Sequence, residues 1–186
     1  TEWGVIAKET TTVPDLYKNY IVILAAVPAI FGFIKGSLIG VDLPMLGSYR
    51  VGIGAGLTGM VITYALSLVQ IYVLAFIVDA LAPTFGGQKN LVQALKTVAY
   101  AFTAAWVAGF GQIVPWLAVL ISLGGVIYSV FLLYKGLPQT MLCPPDKAVA
   151  YTAVSIIAGI ILSVVIGAVV AAVTGAGGSL GTTSSS

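Results

Sequence analysis

Residues 51–82 read VGIGAGLTGMVITYALSLVQIYVLAFIVDALA, and the only formal charge among them is Asp79. As a single helix this stretch would be about 48 Å long at about 1.5 Å per residue, which exceeds the roughly 20 residues needed to cross a bilayer core. It has no polar face to turn toward water, so a helix of this composition is stable only in lipid. The stretch predicts a membrane helix that is tilted or broken.

The composition of the whole chain agrees with a membrane protein. Of its 186 residues, 59% are hydrophobic and 8% are charged, and the mean hydropathy is +1.08. These values lie outside the range of soluble domains, and the length provides one membrane bundle without a separate soluble domain. The net charge of +2 and the lack of a basic run argue against nucleic acid as a partner.

The side chains that most often build metal and redox centres are missing. Histidine is absent and the single cysteine is Cys143, so we expect no metal or other cofactor, no internal disulfide and no catalytic residue. Gly54, Gly56 and Gly59 match a dinucleotide fingerprint, but that motif functions in a turn between a strand and a helix. Inside an apolar stretch these glycines indicate close helix packing, and we do not expect an enzyme.

Five hydrophobic stretches predict an all-α, polytopic integral membrane protein built as a five-helix transmembrane bundle. The spans are placed at residues 20–39, 51–81, 97–113, 114–134 and 148–173. A tight, uncharged turn from Gly111 to Pro115 predicts a close hairpin of the third and fourth spans. The alternative, one merged segment, is too long for a single crossing.

Two short polar segments flank the spans. Residues 1–19 form a head in which Trp3, Ile6 and Ala7 share one face of a short helix, a pattern suited to the headgroup layer; a frayed terminal turn is the alternative. Residues 174–186 are rich in Gly, Ser and Thr and predict a flexible tail.

The basic residues predict the orientation. With five spans, the amino terminus, the second connection and the fourth connection share one side, and the opposite side has Arg50, with Lys35 near the outer end of the first span. The shared side holds Lys8, Lys18, Lys89, Lys96, Lys135 and Lys147. By the positive-inside rule the amino terminus is cytoplasmic and the carboxyl terminus lies on the other side of the membrane.

Rows of small residues predict where helices pack closely. In the fifth span they recur at every fourth residue and fall on one face: Gly159, Ser163, Gly167, Ala171 and Gly175. The other two rows are Ala101, Ala105 and Gly109 in the third span, and Gly52, Gly56 and Gly59 in the second. Lipid gives no hydrophobic drive for helix association, so close backbone contact must provide it. Contacts within the chain and contacts with another chain both remain open.

Ionisable and amide side chains within spans are candidates for a polar site. Lys35 lies near the outer end of the first span and can extend to the surface, whereas Asp79 lies near the inner end of the second. These two residues are therefore not expected to pair. Anchoring or local pairing is favoured over an ion path, and Gln70 is expected to form a hydrogen bond between helices.

The fourth connection, residues 135–147, is the most distinctive surface segment. It contains three prolines, and Gly136 is placed at the end of the preceding helix. Its candidate docking residues are Gly136, Leu137, Pro138, Pro145 and Lys147. The simpler interpretation is a rigid connection, and the more specific one is a cytoplasmic docking surface.

At this segment the chain resembles a known family. The residues that carry the likeness are Tyr134, Gly136, Leu137, Pro138, Pro145, Lys147 and Ala148, with Trp3, Ile6, Ala7, Glu9, Leu16, Tyr17, Tyr20, Pro28, Ala29, Ile30 and Gly40 in the amino-terminal part. This pattern resembles the bacterial branch of the Ypt-interacting-protein (YIP) domain family, over nearly the whole chain.

The resemblance implies five membrane helices and a cytoplasmic amino terminus. For the bacterial branch it implies an inner membrane, with the carboxyl terminus on the periplasmic side. In eukaryotic members it also implies trafficking in the early secretory pathway and binding of small GTPases through cytosolic segments. Those members have a longer head in which Asp-Leu-Tyr is followed by Gly-Pro. Here Lys18 and Asn19 follow Asp15-Leu16-Tyr17, which argues against GTPase binding.

Three functional hypotheses follow. The leading one is a scaffold or accessory subunit that contacts the lipid bilayer and associates with other membrane subunits or with itself. The second is a transporter or channel for a small solute or ion, with a broken second span and Asp79 at its site. The third is bilayer shaping or trafficking through the helix that carries Trp3.

Overall fold

The structure, a computed structural model, describes residues 2–43, 47–108 and 115–179. Within these residues, five helices are long and apolar enough to cross a membrane, which confirms the predicted all-α bundle. The elements are α1 (Glu2–Lys8), α2 (Val13–Ile39), β1 (Val41–Leu43), β2 (Gly47–Tyr49), α3 (Ile53–Leu81), α4 (Leu91–Ala108), α5 (Pro115–Thr140) and α6 (Pro145–Ser179). The two strands form a small antiparallel hairpin between α2 and α3.

The first span, α2, is the irregular one. It begins where Thr12 Oγ1 accepts a hydrogen bond from the Asp15 amide at 3.4 Å, and it contains Pro28. Two π-helical segments interrupt its α-helical course, at Tyr17–Ile21 and at Ile34–Ile39. Such wide turns are rare and often lie at functional sites.

The second span, α3, is continuous. It continues through Leu81 into a 3₁₀ turn over Ala82–Phe85 and stops at Gly86, whose φ of +76° is the left-handed conformation that glycine adopts freely. The possibility of a broken second span is therefore wrong. The glycines of this helix lie in its first two turns, and its interior contains no proline.

Other boundaries also differ from the predicted ones. α4 begins at Leu91 rather than near residue 97, after Asn90, whose Oδ1 accepts a hydrogen bond from the Gln93 amide at 3.2 Å. α5 continues to Thr140 rather than ending near 134, and α6 remains helical over residues 174–179. The turn between α4 and α5 and the tail beyond Ser179 lie outside the described residues.

The buried core lies at one end of the bundle. Its fully buried side chains include Val78 of α3, Leu95 of α4, Leu137 of α5 and Tyr151 of α6. The Tyr151 hydroxyl donates to the Val78 carbonyl, and its ring stacks on Phe85 with 5.0 Å between centroids. By contrast, no residue of α6 from 160 to 173 is buried against the rest of the chain.

The same end gathers the lysine-bearing connections. The Gln88 amide, between α3 and α4, donates to the Met141 carbonyl, between α5 and α6, at 2.8 Å. Lys96 Nζ reaches the carbonyl of Ile6 in α1 at 2.8 Å. The amino terminus and the second and fourth connections thus meet at what we call the lysine-rich end.

Candidate functional site

Helix α1 is docked on the lysine-rich end. Trp3 is 7% exposed and its ring lies over Gly136 of α5. A Cβ at Gly136 would be 2.9 Å from Trp3 Cη2 and 3.0 Å from Thr97 Cγ2, so these contacts require glycine. The indole of Trp3 therefore packs against α5, and the position of α1 at headgroup level stays a prediction.

Lys96 of α4 holds α1 in place through hydrogen bonds. Its side chain is 0% exposed, and Nζ donates to the carbonyls of Ile6 and Glu9. Gln93, one turn earlier in α4, donates from Nε2 to the Ala7 carbonyl at 2.7 Å. Carbonyl groups at the end of a short helix have no partners within that helix, so α4 supplies the missing donors.

The predicted docking connection is mostly helix. Gly136, Leu137 and Pro138 belong to α5, and Leu137 is fully buried. Gly136 does not end the helix. The residue with a left-handed conformation is Leu142, at φ 53°, two residues beyond Thr140, whose Oγ1 lies 2.5 Å from that of Thr97.

Part of this segment remains accessible. Its exposed residues are Lys135, Leu142, Pro145, Asp146 and Lys147. Cys143 is buried, and its thiol donates to the Phe85 carbonyl at 3.3 Å. Burial, with a smaller effect of the nearby Asp146 carboxylate, raises the pKa of the Cys143 thiol, so little thiolate forms near neutral pH.

The row of small residues on α6 is covered at one end only. Gly159 is buried, and an added Cβ there would lie 3.6 Å from Leu74 of α3. Further along, Ser163, Gly167 and Ala171 are exposed, and an added Cβ at Gly167 would meet nothing within 4 Å. Gly175 lies in the last turns of the same helix.

A cavity of about 400 Å³, the inner cavity, lies between α3, α4, α5 and α6. Its wall includes Ala101 and Ala105 of the third-span row and Gly159 and Ser163 of the fifth-span row. The two rows therefore face one space instead of touching. Gly109 lies outside the described residues.

The close α4–α5 contact uses residues that the sequence analysis did not select. A Cβ at Gly125 would be 2.6 Å from Ala108 Cβ and 3.2 Å from the Ala104 carbonyl oxygen. Ala104 and Ala108 are spaced by four residues, like the predicted row, but they lie one face further round the helix. Which of these two faces of α4 contacts α5 depends on the position of Gly125 along α5.

A larger groove of about 700 Å³, the outer groove, lies between α2 and the start of α3 at the end opposite the lysine-rich end. Gly52, Gly56 and Gly59 line it together with Ala171 of α6. A Cβ at Gly56 would collide with the Ser37 hydroxyl of α2. Gly56 therefore allows close approach to α2 on one side of an open space, whereas an added Cβ at Gly52 would meet nothing within 4 Å.

The three candidate polar residues are far apart. Gln70 donates from Nε2 to Ser163 Oγ at 2.8 Å, a bond between α3 and α6. Asp79 lies nine residues further along α3, about 13 Å at about 1.5 Å per residue, and its Oδ1 is buried without a hydrogen-bond partner among the described residues. Lys35 is half-buried in α2 near the outer groove.

The described side chains do not assemble a metal site. No three His, Cys, Asp or Glu residues come together there in a way that could hold an ion. The polar contacts above involve hydroxyl, amide and carbonyl groups, the Lys96 ammonium and the Cys143 thiol. Chemically, they can position helices and a polar group of a ligand.

Comparisons with known proteins agree with this architecture. The Yip1 domain family matches residues 2–167. The chain is 22% identical over 163 residues to inner membrane protein YohC of Escherichia coli K12, an alignment that covers 87% of this chain and 84% of YohC. YohC of Escherichia coli O6:H1 strain CFT073 gives the same values, and no solved structure matches. The resemblance seen in the sequence is confirmed: this integral membrane protein belongs to the Yip1 domain family.

Proposed function

We propose that this protein is a non-enzymatic scaffold or accessory subunit of the inner membrane, which binds other membrane helices along the open half of α6. The exposure of Gly167, where an added Cβ would meet nothing within 4 Å, and of Ala171 carries the proposal. Small residues on a lipid-facing surface leave a shallow groove in which a second backbone can approach closely. The lysine-rich end is cytoplasmic in this proposal, by the positive-inside rule.

Two further observations support contact with a partner. No residue of α6 from 160 to 173 is buried within the chain, so the packing of this half is incomplete. Of the five predicted docking residues in the fourth connection, only Pro145 and Lys147 are exposed. An intramembrane interface is therefore better supported than recognition of a soluble GTPase.

Substitution of Gly167 by leucine should disrupt the association. A leucine there fills the groove and separates the backbones, which costs about 1–2 kcal/mol, or about tenfold in affinity, by analogy with membrane helix pairs. The measurement is cross-linking in native membranes from a cysteine placed at Ala171, with the mass of each product determined. A product of twice the protomer mass indicates self-association, and any other mass a different subunit.

Val165→Leu is the matched control, because Val165 is exposed on the same helix outside the small-residue row. It should leave the cross-linked yield unchanged. Equal yields from the Gly167→Leu variant and the control would refute the proposed interface, as would the absence of any product from the unsubstituted row.

Transport of a small ion is a second candidate function, favoured by Asp79. A carboxylate oxygen that is buried in a membrane helix without a partner is costly and is often part of an ion path. In liposomes, Asp79→Asn should abolish a proton or cation flux, whereas Asp146→Asn, at an exposed position, should not. No flux from the wild type, or equal flux from both variants, would eliminate this function for Asp79.

A further inference from the structure

The outer groove has the dimensions of a lipid site. Its volume of about 700 Å³ falls within the roughly 300–1,000 Å³ of ligand sites. Its walls extend from Ser37 to Pro28 on α2 and from Gly52 to Thr63 on α3, about 15 Å at about 1.5 Å per residue. That depth is half of a hydrocarbon core of about 30 Å, the reach of one acyl chain in one leaflet.

Ser37 supplies the unsatisfied polar group. Its side chain is 8% exposed, it lines the groove, and its Oγ has no hydrogen-bond partner among the described residues. It lies in the π-helical segment Ile34–Ile39, two residues before the end of α2 and therefore near headgroup depth. A buried hydroxyl without a partner is destabilising, so a ligand oxygen at this position would satisfy it.

The amino end of α3 also opens onto the groove. Gly52 is the cap residue, and no side chain there accepts a hydrogen bond from the amides of the first turn. Gly52 and Ala55 both line the cavity. Free amides and the positive end of the helix dipole together favour an anion.

Two basic residues flank the same opening. The Val51 amide donates a hydrogen bond to the Gly36 carbonyl at 3.0 Å. Arg50 precedes Val51 and Lys35 precedes Gly36, so both basic residues lie next to this hydrogen bond. Arg50 Nε is held 3.3 Å from the Ile39 carbonyl oxygen. The connection between α2 and α3 contributes one acid, Asp42, which leaves this end with one excess positive charge.

We propose that the outer groove binds one anionic phospholipid. The phosphodiester lies at the mouth, where it accepts hydrogen bonds from Ser37 Oγ and from the first amides of α3, with Arg50 and Lys35 nearby. One acyl chain lies along the apolar wall formed by Phe33 and Met60. This site is separate from the open half of α6 that the proposed function uses, apart from Ala171 at its edge.

The test measures lipid binding to the full chain in detergent by native mass spectrometry. Phosphatidylglycerol and phosphatidylcholine with identical acyl chains are the probes, and the anionic lipid should bind at least about tenfold more tightly. Ser37→Ala should reduce the affinity for phosphatidylglycerol by about tenfold, the effect of losing one hydrogen bond to a charged oxygen. Arg50→Gln should weaken phosphatidylglycerol binding more than phosphatidylcholine binding and so reduce the preference for the anionic lipid.

Ser129→Ala is the matched control. Ser129 Oγ is also buried without a described partner, but this residue lines the inner cavity, so phosphatidylglycerol binding should not change. Removal of an unpartnered hydroxyl does not threaten folding in either variant. Equal binding of the two lipids, or equal effects of the two serine variants, would overturn the proposal. A lipid-free dimer that cross-links through a cysteine placed at Met60, inside the groove, would do so too, because it would assign the groove to a second copy.

Discussion

Replacing Lys96 with methionine should release helix α1 from the lysine-rich end. Methionine keeps the length and apolar stem of the side chain but cannot donate to the carbonyls of Ile6 and Glu9. Two hydrogen bonds from a charged donor contribute about 1.5–3 kcal/mol each, so we expect a loss of at least about 3 kcal/mol. A seven-residue helix is not stable alone in water, and α1 should therefore unfold.

Hydrogen–deuterium exchange measures this release directly. In the Lys96→Met variant the amides of residues 2–9 should exchange at the rate of an unfolded peptide, while those of α3 keep their protection. Lys89→Met is the control, since Lys89 is exposed in the connection just before α4 and should leave exchange in α1 unchanged. Unaltered protection of α1 in the Lys96 variant would contradict the role assigned to this lysine.

Gly136→Ala should loosen the same contact by overpacking it. The added methyl group would lie 2.9 Å from Trp3 Cη2 and 3.0 Å from Thr97 Cγ2, closer than carbon atoms pack. Displacement of the indole should cost about 1–3 kcal/mol in the free energy of unfolding, measured by denaturation in detergent. Gly124→Ala is the control in the same helix, since a Cβ there meets nothing within 4 Å.

A double substitution tests whether the contact with Trp3 causes this loss of stability. Trp3→Leu shortens the side chain that the new methyl group would strike, so Gly136→Ala should cost much less when Trp3→Leu is also present. The difference between the two costs is the coupling energy of the pair. Additive effects, or equal costs for Gly136→Ala and Gly124→Ala, would show that Trp3 and Gly136 do not constrain each other.

The sequence predicted the number of spans because bilayer thickness sets the length of an apolar helix. It also predicted which connections meet, since alternation of five spans places the lysines of three segments together. The end of α5 was predicted incorrectly. Gly136 and Pro138 are loop-forming residues by local preference, but burial of Leu137 and the contact with Trp3 keep the chain helical, so tertiary packing outweighs propensity here.

The candidate sites were less predictable. The small residues of α6 correctly predicted one helix face. They could not predict which half of that face Leu74 covers, because this depends on the register between α3 and α6. Ser37 carried no signal, since a single serine near a span end is common. Its significance comes from the π-helical segment and from the glycines of α3 opposite it, neither of which local sequence reveals.

Because the buried side chains are concentrated at the lysine-rich end, this protein should resist an applied force unequally along its length. A force applied to the carboxyl terminus would first peel the far half of α6 from the bundle, because few side-chain contacts oppose it there. Extension would then stop at Tyr151, whose hydroxyl is bonded to the Val78 carbonyl and whose ring stacks on Phe85. The membrane domain would thus yield in stages, with a compliant half and a rigid one.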